Sequence, residues 1–163
     1  MVRAALLLAA ALALPAAALA AAAAPPQSAA TVLKAKVAPP SVASEPLFAS
    51  IVKDAQALKA QTAAYEKGPS DADFTHMAGS QAFAGAVGQL SALDMQGHVT
   101  LTQRGVSDDL KCILKGMSQD LSVKLKAIQT ASDAKARHAA FQDMYFLLRD
   151  NVAVITSPPQ PSA

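Results

Sequence analysis

Residues 107–141 read SDDLKCILKGMSQDLSVKLKAIQTASDAKARHAAF. Ser107-Asp108-Asp109 is a helix start, with a serine cap and two carboxylates at the positive end of the helix dipole. Leu110, Leu114, Met117, Leu121, Leu125 and Ile128 then recur at helical spacing and predict one apolar stripe. Ser132-Asp133 opens a further helix after a very short turn. Two long helices joined so closely must lie side by side and run in opposite directions. That hairpin sets the expectation for the whole chain.

Working outward, Phe141, Met144, Leu148, Val152 and Ile155 form the stripe of the last helix, which Ser157-Pro158-Pro159 ends. Upstream, Ser44-Glu45-Pro46 opens a first helix, with proline in the first turn where no amide bond is lost. Leu47, Ile51, Ala55, Leu58 and Thr62 make its stripe, and Gly68-Pro69 stops it. Ser70 with Asp73 resembles a capping box and predicts a second helix running to Met95 or Gln96. Gly97 weakens that helix, and His98 to Gly105 is expected to be a loop. The fold class is therefore all-α: an up-down-up-down antiparallel four-helix bundle over residues 44–156.

The N-terminus points to export. Arg3 precedes an apolar run from Ala4 to Leu14, Pro15 interrupts it, and small residues follow. A basic start, a short apolar segment and a small-x-small exit at Ala18-Leu19-Ala20 describe a signal peptide over residues 1–20. Retention of this leader as an anchor is the alternative. Residues 21–43, rich in Ala and Pro, read as a disordered linker, because Pro25-Pro26 and Pro39-Pro40 break any helix and few apolar residues are present. Residues 157–163 form a similar tail. The expected location is the periplasm or the exterior.

Composition excludes several functions. The formal net charge is +2, too small a basic surplus for nucleic acid. Tryptophan is absent and aromatics make up only 4% of the chain, which leaves no platform for stacking bases. No Gly-rich phosphate loop and no G-x-S-x-G turn occurs. Nothing in the sequence points to a catalytic activity.

The second helix is unusual. Residues 74–93, FTHMAGSQAFAGAVGQLSAL, contain no Asp, Glu, Lys or Arg. One stripe joins Gly79, Phe83, Ala86, Leu90 and Leu93, yet the opposite side, with Phe74, Met77, Gln81, Gly85 and Gly88, is no more charged. Three readings compete: a helix covered by its own neighbours, a surface for self-association, and a membrane span. His76, Ser80, Gln81, Gln89 and Ser91 count against the span. Self-association would use the small residues Ala78, Ala82, Gly85 and Gly88, with Cys112 and Gly116 of the third helix as a second strip. Cys112 is the only cysteine, so a disulfide through it must be intermolecular. The partner is then a second copy, as a homodimer, or another envelope protein.

A metal site is the remaining candidate. In an up-down bundle the second and fourth helices start at the same end, which places Asp73, His76 and His138 within reach of one ion. Histidines at a bundle end also commonly bond backbone groups instead. With only Glu45 and Glu66 as glutamates and no Glu-x-x-His, a di-iron centre is disfavoured. No C-x-x-C-H exists for covalent haem, and non-covalent haem through Met and His stays open. The sequence thus leads to an exported bundle with a binding or structural role in the cell envelope, with a periplasmic metal- or haem-binding bundle as the alternative.

Overall fold

A computed structural model describes residues 41–68, 73–106 and 109–157. The described residues are all-helical, with four long helices: α1 (Pro46–Glu66), α2 (Ser80–Gln103), α3 (Asp109–Thr130) and α4 (Ala134–Thr156). Short 3-10 turns at Val42–Ser44 and Phe74–His76 precede α1 and α2. Each helix packs on two others, in the ring α1–α2–α3–α4, while α1–α3 and α2–α4 face each other across the core. Ser91 Oγ donates to the Ser118 carbonyl at 2.7 Å, and His98 Nδ1 bonds the Lys111 carbonyl at 2.7 Å. Seven residues forward along α2 thus match seven residues back along α3, so these two helices run in opposite directions.

Local signals set most boundaries. Pro46 occupies the first turn of α1, as expected. Asp133 caps α4, its carboxylate accepting from Ala136 N at 2.8 Å, and this bond holds its pKa below the ordinary carboxylate value. The stripes of α1, α3 and α4 bury Ile51, Ala55, Leu58, Leu114, Leu121, Ile128, Phe141, Met144, Leu148 and Ile155. Phe48 takes the deep position at the start of α1, and Leu47 is half-buried. The cap residues Ser107 and Asp108, the restart at Ser70, the leader at 1–20, all but the last three residues of the 21–43 linker and most of the tail lie outside the described residues.

Helix α2 departs from expectation at both ends. It starts at Ser80, not near Asp73, because Asp73 caps the preceding 3-10 turn instead, accepting from Thr75 N and Thr75 Oγ1, both at 2.9 Å. Gly79 then turns the chain with φ +81, a conformation that disfavours side chains. A Cβ there would also lie 2.9 Å from the Tyr65 hydroxyl, which donates to the Ala78 carbonyl at 2.9 Å. The turn carries Phe74 into the end of the bundle, 1% exposed, where its ring meets those of Tyr65, Phe83 and Phe141 at centroid distances of 5.3–5.9 Å. The outward position expected for Phe74 is therefore wrong. It followed from extending the wheel of α2 through residues that are not part of that helix.

At the other end, α2 runs through Gly97 to Gln103, so the expected loop from His98 is helical over most of its length. Gly97 does not interrupt the helix because tertiary packing offsets its poor propensity. It is buried, and an added Cβ would meet Leu114 at 3.0 Å, Phe48 at 3.3 Å and Ile51 at 3.4 Å. The missing side chain lets α1 and α3 close on α2. At its end Arg104 makes a bidentate pair with Glu45 at 2.9 and 2.7 Å, joining the end of α2 to the start of α1.

Candidate functional site

The buried stripe of α2 is Phe83, Val87, Leu90, Asp94, Gly97 and Leu101. The member that follows Leu90 is an acid. Asp94 is fully buried, and so is Asn151, which occupies the corresponding place on the stripe of α4. Asn151 Nδ2 donates to Asp94 Oδ2 at 2.6 Å across the core. Among the described residues, Asp94 Oδ1 and Asn151 Oδ1 have no hydrogen-bond partner. Burial pushes the Asp94 carboxyl up to about 7, against a smaller lowering by the Asn151 amide. This pair went unnoticed in the sequence, where Asp94 only ended an uncharged run. The available signal was position: Asp94 lies four residues after Leu90, and Asn151 three after Leu148, both in register with their stripes.

Turning Asp94 inward has a consequence on the outside. It is the only Asp, Glu, Lys or Arg in α2. The outward face, through Gln81, Gly85, Gly88, Ala92, Gln96 and Val99, therefore carries no charge for more than four turns and is exposed throughout. At Gly85 and Gly88 an added Cβ would meet none of the described residues within 4 Å. Gly85 and Gly88 thus lie away from the core. Ala78 and Ala82 are exposed as well, although Ala78 belongs to the turn before α2. On α3, Cys112 is exposed and Gly116 half-buried. No described helix is long and apolar enough to cross a membrane.

The three residues weighed as metal ligands fall into two pairs. Asp73 Oδ2 lies 3.4 Å from His76 Nδ1, with the His76 side chain 83% exposed. His138 Nδ1 lies 3.5 Å from Glu66 Oε1, and its Nε2 is 3.1 Å from Gln142. His76 points outward, away from the core, and the left-handed Gly79 separates it from the register of α2. Among the described residues, no group of three or more His, Cys, Asp or Glu is placed to hold a metal ion. The third histidine, His98, is the one that bonds backbone, through the Lys111 carbonyl. The cavity beside His138, lined by Tyr65, Glu66, Met77, Arg137 and Phe141, has about 50 Å³. That holds a water or two and falls far below the several hundred Å³ of an ordinary small-molecule site.

The chain matches no protein-family model, no curated protein and no solved structure.

Proposed function

We propose that this is an exported protein of the cell envelope that works by binding through its helix surfaces, with a second copy of itself as the partner on α2. The observation that carries the reading is the uncharged outward face of α2, with Gly85 and Gly88 open to close approach. A solvated bundle helix ordinarily bears charges there. Glycine and alanine offer little side-chain area, so the gain in association comes from close backbone packing over a long, uncharged strip. The proposed arrangement is an up-down-up-down bundle. It is supported by the Glu45–Arg104 pair at one end of α1 and α2, the Tyr65–Phe83 contact at the other, and the His138–Glu66 and Lys59–Tyr145 contacts between α4 and α1.

The test is a charge on that face. Gly85→Arg does not disturb the monomer, since the site is open and arginine is the better helix former. At micromolar protein the wild type is expected to sediment as a dimer and the variant as a monomer, with equal helical circular dichroism. A wild type that is monomeric at every accessible concentration removes the reading.

Export rests on the apolar leader ending at Ala18-Leu19-Ala20. Intact mass of the exported chain should correspond to a start at residue 21. A chain that keeps Met1 points to a retained anchor instead.

A further inference from the structure

We propose that Asp94 is held in the folded bundle as a neutral carboxylic acid whose O–H donates to Asn151 Oδ1, closing a two-bond acid–amide ring between α2 and α4, and that loss of this proton loosens the bundle.

The geometry supplies half of the ring directly. Asn151 Nδ2 already donates to Asp94 Oδ2 at 2.6 Å. The atoms left over are one oxygen from each group, Asp94 Oδ1 and Asn151 Oδ1, both buried and without a partner among the described residues. Two acceptors cannot satisfy each other, and leaving both bare in a core is costly. One proton on the carboxyl turns them into a donor and an acceptor and satisfies both.

The surroundings favour the neutral form. Of the residues buried on α1, α3 and α4, none is ionisable. At the level of Asp94, α1 carries Asp54, α3 carries Lys115, and α4 carries Arg149 and Asp150. Asp54 and Asp150 are half-buried, and Lys115 and Arg149 are exposed. Arg149 is turned to Asp150 at 2.7 Å and to the Phe146 ring. On α2 itself, His98 is bonded to the Lys111 carbonyl. Among the described residues no cation therefore compensates a carboxylate at residue 94, and burial, against the smaller lowering by the Asn151 amide, moves its titration from the ordinary 3.8 to about 7.

The direction of the effect follows. The folded state holds the proton more tightly than the unfolded chain, so the stabilisation is complete below about pH 4 and is lost as pH rises through about 7. Between those limits the unfolding constant increases close to tenfold per pH unit. A bundle built this way is firmest in mildly acidic surroundings and loosens toward alkaline pH.

Denaturant unfolding of the full chain and of Asp94→Asn across this range gives the test. The ratio of their unfolding constants, wild type over variant, should rise by roughly a thousandfold from about pH 4 to 7 and then level off. A flat ratio overturns the proposal. A carbon-13 titration of the Asp94 carboxyl in the wild type needs no stable variant, and a midpoint below about 5 also overturns it. The ring itself is read by infrared. The protonated acid carbonyl band of Asp94 should shift on Asn151→Leu, and an unshifted band would show that Asn151 takes no part.

Discussion

Phe83→Ala is expected to lower the stability of the bundle by about 3–5 kcal/mol. Phe83 is fully buried on the first full turn of α2. Its ring stands edge-on to Tyr65 at 5.4 Å and to Phe74 at 5.9 Å. Truncation removes the transfer free energy of the ring and leaves a cavity among side chains that cannot close in. Tyr65 is held by the Ala78 carbonyl, and Phe74 by the capped turn that carries it. The aromatic contacts contribute about 0.5–1.5 kcal/mol each beyond area burial, and they are lost together. Urea unfolding followed by circular dichroism measures the effect. A loss under about 1 kcal/mol would mean that this end of the bundle collapses around the vacancy, so that the cluster is not rigid.

The second large effect is expected at Asn151. Asn151→Leu places an apolar side chain of similar shape in the stripe of α4 and removes the hydrogen bond to Asp94. A buried acid left without its partner costs about 1–3 kcal/mol even when neutral. Burial raises the Asp94 titration, so its own contribution is present in acid and is lost as pH rises through about 7. The loss at Asn151→Leu is therefore read at acidic pH, where the acid is neutral and both ring bonds stand, by urea unfolding of wild type and variant. A loss under about 0.5 kcal/mol there would mean that Asn151 satisfies neither oxygen of the acid.

The opposite sign applies at the surface. Asp73 and Asp133 titrate below their ordinary value because backbone amides of Thr75 and Ala136 bond their carboxylates, and Glu45 does so through Arg104. Their contributions are present above the ordinary carboxylate range and fade as pH falls through the lowered values. These exposed groups weaken the protein in strong acid, while Asp94 weakens it toward neutral and alkaline pH. The two effects bracket a mildly acidic optimum.

What the sequence determined is whatever depends on neighbours within a few residues. Pro46 and Asp133 start their helices through bonds made, or not needed, in one turn, and α3 and α4 are written as continuous apolar stripes bounded by such signals. The small residues of α2 were legible as a surface for the same reason, since Gly85 and Gly88 lie opposite Phe83 and Leu90 on any helical wheel. Tertiary structure decided what local signals left divided. Asp73 has the chemistry of a cap for either a helix or a 3-10 turn, and the burial of Phe74 beneath Tyr65 selects the turn. Gly97 alone predicts a break, but Phe48, Ile51 and Leu114 close on its bare backbone and carry α2 onward. His76 and His138 part company because the positive φ of Gly79 resets the register between them. Asp94 and Asn151, 57 residues apart in sequence, acquire meaning only together. An isolated acid in an apolar stripe reads as an end, whereas an acid facing an amide across a closed core is a bond, because only the fold removes the water that would otherwise satisfy both.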